Sequence, residues 1–180
     1  MTIYAAMKTD YLPYSDGDYR GICDAVMAAL TREGRAGIRV LELGCGSGAF
    51  SRYFDDPAIS EYLGVDISKA LLAVARVKTP KNTHQFVAAD ISERFLSETD
   101  VASYDVIFAG AFWHHIRPDH RTKMLKHIDG LMRSGSVFAM FEPNVLNRAI
   151  AFQYRYETRL NKSAYDWSEF PLSPYEIATH

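Results

Sequence analysis

Two periodicities alternate along the chain. Short apolar runs, several of them rich in β-branched or aromatic residues, stand at 38–43 (IRVLEL), 61–65 (EYLGV), 84–88 (HQFVA), 104–109 (YDVIFA) and 136–141 (SVFAMF), and each reads as a strand. The segments 48–55, 68–77 and 119–133 between them have helical character. A leading helix over roughly 18–32 sets Ile22, Val26, Ala29 and Leu30 on one face, with Asp24 and Arg32 elsewhere. Strand alternating with helix predicts a parallel sheet covered on both faces, because the crossover helices must lie over it. The expected fold class is therefore α/β, a doubly wound parallel sheet of five strands with flanking helices.

Composition narrows the partners. The 180 residues suffice for one domain with a real core, and 48% hydrophobic against 23% charged residues is ordinary for a globular protein. The net charge of −2 offers no basic excess, which argues against nucleic acid and against an anionic membrane surface as partners. Cys23 and Cys45 are the only cysteines, and Cys45 sits inside a glycine-rich turn, so both read as free thiols of a reducing compartment. The start MTIYAAMKTDYLPYSDGD lacks the basic opening and apolar run of a signal peptide, and no stretch reaches the ~20 apolar residues of a membrane span. A cytoplasmic location is the expectation.

Candidate chemistry begins at VLELGCGSGAF, residues 40–50, where a buried strand runs into a glycine turn and an expected helix. Gly44, Gly46 and Gly48 allow positive φ and close approach of a ligand to the main chain, and a helix beginning there would offer free N–H groups to an anion. A tight turn without a ligand is the plainer alternative. A sharper one is a nicotinamide dinucleotide, since Gly44-x-Gly46-x-x-Ala49 satisfies that fingerprint too and Asp66 follows at about the right ~20-residue distance. Glu42, Asp66 and Asp90 fall at or just beyond strand ends, and three carboxylates suit a ligand bearing a sulfonium and an ammonium better than a pyrophosphate.

The series LELGCGSG, YLGVDIS, FVAADI, YDVIFAGAFWHHI and MRSGSVFAMFEPN, over about residues 38–144, resembles the successive motifs of class I S-adenosylmethionine-dependent methyltransferases of the small-molecule type. The resemblance implies a Rossmann-like sheet, S-adenosylmethionine as cofactor, and a small-molecule acceptor such as an oxygen of a sugar, lipid or other metabolite. It implies that Gly44 and its neighbours Glu42, Cys45, Gly46 and Gly48 meet the methionine moiety. By the same likeness Asp66 accepts from both ribose hydroxyls, Ile67 lies against the adenine, and Asp90 accepts from its amino group beside the Ile91 N–H. Ala109 and Gly110 would pass beneath the methionine, and the His114-His115 pair after the fourth strand and Glu142-Pro143-Asn144 after the fifth match a pattern frequent among the members that act on small metabolites. A helix cap remains the alternative for Asp66 and for Asp90.

His114 and His115 stand where the family loop faces the acceptor, and imidazole suits a base near neutral pH. Adjacent side chains ordinarily diverge, so one of the pair is expected to reach the acceptor, with His115 favoured; local hydrogen bonding is the alternative. Trp113 reads as core packing, and no catalytic metal is implied. A nicotinamide-dependent oxidoreductase and an inactive cofactor-binding subunit acting through association are the other functions considered.

The organisation expected is a single domain: an N-terminal arm and helix (1–37), a cofactor core (38–144) and an aromatic and basic lid or edge-covering segment (145–180). The family sheet has two further antiparallel strands that the pattern lacks, and the capping box at Ser173–Glu176 announces a helix with little chain left to run. The expectation on that ground is either that the chain is truncated or that residues 145–180, a second copy or a partner chain cover the fifth-strand edge.

Overall fold

The computed structural model describes residues 16–31, 34–91 and 104–142. The expectations for Pro143, Asn144 and the segment 145–180, its capping box included, lie outside the described residues. In chain order the elements are α1 (Asp16–Thr31), β1 (Ile38–Leu43), a 3-10 turn (Ser51–Tyr53), β2 (Ile59–Asp66), α2 (Lys69–Lys78), β3 (His84–Ala88), β4 (Tyr104–Gly110), a second 3-10 turn (Trp113–His115), α3 (Pro118–Leu131) and β5 (Met132–Phe141). The strands form one sheet in the order β3-β2-β1-β4-β5, and every pairing is parallel. This is the doubly wound, Rossmann-like arrangement expected from the sequence. Among the described residues no helix is long and apolar enough to cross a membrane.

Successive strand side chains point to opposite faces, and both faces are covered. Val40, Tyr62, Val106 and Phe108 share one core layer with Cys23 and Met27 of α1, Phe50, Phe54 and Leu72 of α2. Leu41, Leu43, Val65 and Ile107 face the other way, onto Met124, Ile128 and Leu131 of α3. β1 and β4 therefore alternate between two apolar layers, whereas the edge strand β3 alternates buried Phe86 with exposed Gln85 and Val87.

Three local expectations need correction. The stripe that α1 buries runs through Tyr19, Cys23, Met27 and Leu30, with Ile22 and Val26 half-buried and Ala29 exposed. The expected helix over 48–55 is only the three-residue turn Ser51–Tyr53. Gly48 is still in the left-handed region and Pro57 disfavours helix at Asp56, so about one turn is all that fits between them. β5 begins at Met132, four residues before the expected start at 136, directly from the end of α3. Its register slips between the pairs Tyr104↔Met132 and Val106↔Val137, where Gly135 takes φ +76°.

That slip serves an ion cluster at the amino-terminal end of the sheet. Asp105, with 5% of its side chain exposed, accepts from the Arg39 N–H at 2.9 Å and from Arg133 Nε at 2.6 Å, and Arg35 approaches to 3.9 Å. Burial pushes the Asp105 carboxyl up, but the Arg133 and Arg39 hydrogen bonds and the arginine charges outweigh it and hold the group below its usual value. Such a depressed group contributes stability above its unfolded value and loses it as pH falls through the folded one. Asp105→Ala is expected to cost about 1–3 kcal/mol at neutral pH, and the gap to wild type should narrow as pH falls below about 4. Urea denaturation at both pH values checks this, and a pH-independent gap would contradict it.

Candidate functional site

The carboxyl ends of the strands line one edge of the sheet, and the strand order reverses direction between β1 and β4. Loops leaving two such neighbours part to opposite faces and open a crevice at that point. The glycine turn leaves β1 there. Its Gly44, Gly46 and Gly48 take φ of +71°, +50° and +77°, and the Gly44 and Cys45 N–H groups both donate to Val65 O at the end of β2.

The three glycines do different things. A Cβ on Gly48 would lie 2.7 Å from Ser51 Oγ and 3.2 Å from Ala75 Cβ, so this glycine lets the turn pack on α2. A Cβ on Gly44 would collide with the Phe112 ring, so this one admits the loop that leaves β4. At Gly46 the nearest atoms to such a Cβ are Leu71 at 3.9 Å and Asp66 at 4.0 Å, which leaves the main chain open to a ligand. Cys45 turns inward against Gly64; burial pushes its thiol up, as it does that of Cys23, so neither is a nucleophile.

Asp66 divides its carboxylate between two elements. Oδ2 accepts the Gly46 N–H at 2.8 Å, and Oδ1 accepts the Ser68 N–H at 2.8 Å. Ser68 in turn caps α2 by accepting from the Leu71 N–H. Asp66 thus fastens the glycine turn to the start of α2, yet each oxygen keeps a second lone pair for a donor. Beside it Ile67 is 54% exposed, an apolar side chain on a polar rim. The β3 exit joins the same rim, since the Ala89 N–H donates to Asp66 O at 3.1 Å. Asp90 follows exposed, and Ile91 is buried in the layer of α3.

Glu42 does not join this rim. Leu41 and Leu43 face α3, so Glu42 points into the opposite layer, where it is 1% exposed and accepts from the Tyr62 hydroxyl. Burial pushes its carboxyl up to about 8, with the Asp66 charge adding to the rise and the Tyr62 hydrogen bond opposing it.

Across the crevice, Ala109 and Gly110 are buried, and a Cβ on Gly110 would run into Phe50. Ala111 then takes φ +52°, the one positive value at a non-glycine among the described residues, and its N–H donates to Phe141 O at 2.7 Å. That conformation costs about 1 kcal/mol and needs surroundings that enforce it. Glu142, just past β5, does so. Its Oε1 accepts the N–H groups of Phe112 at 2.8 Å and Trp113 at 2.5 Å, while Oε2 meets the His114 N–H at 3.3 Å and His114 Nδ1 at 2.6 Å. His114 and Glu142 have 8% and 4% of their side chains exposed. His115 is half-buried, and the 3-10 turn brings the two imidazole rings to 4.1 Å between centroids instead of letting them diverge. Trp113 is core packing as expected, 2% exposed and 6.0 Å from the Phe138 ring.

The site thus gathers Gly46, Asp66, Ile67 and Asp90 on one side and Phe112, His114 and His115 on the other. Glu42, Cys45, Gly48 and Ile91 support it from within. Sequence reasoning placed Glu142 in the motif after the fifth strand without giving it a role, and weighed Phe112 as a wall of the pocket or core packing; it missed the closure of Phe112 over Gly44 and of Tyr62 on Glu42. The signal for Glu142 was an acid directly after an apolar strand, the same position that Asp66 holds on β2.

Residues 41–138 match a family model described as a methyltransferase domain. No curated protein matches the chain. Solved structures similar to it include an S-adenosylmethionine dependent methyltransferase from Mesorhizobium loti, 25% identical, with 70% of this chain and 56% of that one covered at a TM-score of 0.54. A SAM dependent methyltransferase from Archaeoglobus fulgidus is 22% identical over 91% of this chain and 69% of that one, with a TM-score of 0.64. The plantazolicin methyltransferase BamL, in complex with a triazolic desmethylPZN analog and SAH, is 16% identical over 95% and 62% with a TM-score of 0.71. The chain spans little more than half the length of the first of these.

The buried Glu42 carboxyl makes stability depend on pH. Its folded value near 8 lies above the ordinary 4.5, so the stability it contributes is complete below about pH 4.5 and is lost as pH rises through about 8. Glu42→Gln keeps an acceptor for Tyr62 and removes the titration. It is expected to be more stable than wild type above pH 8, by an amount on the order of a few kcal/mol, and to lose that advantage near pH 5. Thermal melts across this range check it, and a stability difference that does not change with pH would contradict it.

Proposed function

The chain belongs to the methyltransferase-domain family, whose model matches residues 41–138, and from that premise we propose that it binds S-adenosylmethionine along the carboxyl edge of its sheet and methylates a small molecule. The observation that carries the reading is the open, positive-φ Gly46 with the Asp66 carboxylate 2.8 Å from its nitrogen. The remaining lone pairs of Asp66 accept from the two ribose hydroxyls, which are donors and need an acceptor-only group. Ile67 supplies an apolar surface for the adenine, and Asp90 accepts from its amino group, with the Ile91 N–H nearby. The main chain of Gly44, Cys45 and Gly46 bears the methionine portion, with Ala109 and Gly110 beneath it. Glu42 and Gly48 hold the turn in shape from below.

When bound, the cofactor supplies a methyl group on a sulfonium, an electrophile that carries its own good leaving group. Most of the rate then comes from holding the acceptor in line, the task of the loop that leaves β4. His115, the more exposed of the two histidines, takes the proton from an acceptor hydroxyl, while His114 is turned to Glu142. An acidic chain without a basic excess supports a small acceptor over a nucleic acid. The dinucleotide alternative is weakened because the glycine turn leads into a three-residue 3-10 turn, not into an α-helix whose N-terminus could take a pyrophosphate.

Titration calorimetry with S-adenosylhomocysteine tests this, and heat with a nicotinamide dinucleotide but none with S-adenosylhomocysteine would overturn it. Asp66→Ala is expected to weaken that binding by roughly 2–4 kcal/mol, and an unchanged dissociation constant would remove Asp66 from the site. Gly46→Ala separates fold from function: with room for the methyl group, only the left-handed backbone costs stability, about 1–2 kcal/mol. Its affinity for S-adenosylhomocysteine should nonetheless fall by at least about tenfold. Retained affinity would mean that the ligand does not approach Gly46.

A further inference from the structure

We propose that Glu142 is the positioning residue of the acceptor-side loop, acting on His115 through His114. This rests on the methyltransferase reading only for the use of His115; the geometry stands by itself. The Glu142 carboxylate takes three main-chain N–H groups, from Phe112, Trp113 and His114, and a fourth contact at His114 Nδ1, 2.6 Å away. A carboxylate only accepts, so the proton between them belongs to Nδ1 and the basic nitrogen of neutral His114 is Nε2. One side chain thus sets the backbone path of the loop, the tautomer of His114 and the plane of its ring. The His115 ring packs against the His114 ring, tilted by 42° with 4.1 Å between centroids.

The arrangement also ties the site to β5. Glu142 follows directly on Phe141, whose carbonyl accepts the Ala111 N–H, so the end of β5 and the residue after it hold both ends of the bend at 111–114. A base held in turn by a third group is the general way in which a side chain is kept at the geometry a reaction needs.

The test is long-range proton–nitrogen NMR on the full chain labelled at histidine, with wild type, Glu142→Gln and Glu142→Ala. In wild type, His114 is expected as the Nδ1–H tautomer with a slowly exchanging ring proton. In Glu142→Gln, whose side-chain oxygen can still take main-chain N–H groups, the fold should persist by circular dichroism. His114 should lose that fixed tautomer, and the His115 ring resonances should move with it. Glu142→Ala should do the same and lower the unfolding midpoint. A wild-type His114 protonated on Nε2, or a folded Glu142→Gln that leaves both histidines unchanged, would overturn the proposal. A shift of His114 without one of His115 would overturn the relay. Titration of wild type with S-adenosylhomocysteine reports separately on the methyltransferase reading, so failure of one is not failure of the other.

Discussion

Where parallel strands end, backbone N–H groups lose their ladder partners, and the carboxyl edge of this sheet is organised around that constraint. Two carboxylates answer it. Asp66 takes N–H groups from the glycine turn and from the start of α2, and Glu142 takes three from the loop that leaves β4. Each stands at a strand exit and reaches across to another element, so the loops on both sides of the crevice are fixed before any ligand arrives. Gly44, Gly46 and Gly48 reach positive φ without a Cβ to oppose it, whereas at Ala111 the Glu142 and Phe141 contacts hold the turn that needs it.

The other end of the sheet is built differently. There Asp105 is fully engaged by Arg39 and Arg133, a closed cluster with no acceptor left facing the solvent edge of a crevice. Between the two ends lies Glu42, a carboxyl enclosed with Tyr62 beneath the glycine turn. The carboxyl edge, by contrast, presents acceptors, an apolar Ile67 and open main chain together.

Much of this was legible in the sequence, because a doubly covered parallel sheet writes its strands as apolar runs and its crossovers as amphipathic stretches. The five strands, α1, α2 and α3 were readable on that ground, and so was the placing of Gly46 and Asp66 at the carboxyl edge of the sheet. What failed was local competition. The helix over 48–55 was lost to Gly48 and Pro57, and the buried stripe of α1 includes Tyr19 and Cys23 where the pattern favoured Ala29. What could not be read at all were contacts across long separations. That Gly48 is a packing position while Gly46 is open depends on Ala75 and Ser51, and the place of Glu142 depends on a loop some thirty residues earlier in the chain. Likewise Glu42 sits at a strand end in sequence but points into the interior in space.

The central claim is that one ligand site spans the strand exits from Gly44 to Asp90 and the loop after β4. Hydrogen exchange read by mass spectrometry, with and without S-adenosylhomocysteine, tests it most directly because it maps binding onto the chain. The expected result is slower exchange in peptides covering 44–48, 66–68 and 110–115, with the Arg35–Arg39 and Arg133–Ser136 segments unchanged. Exchange that S-adenosylhomocysteine leaves unaltered at the glycine turn, or protection confined to the amino-terminal edge of the sheet, would contradict the account.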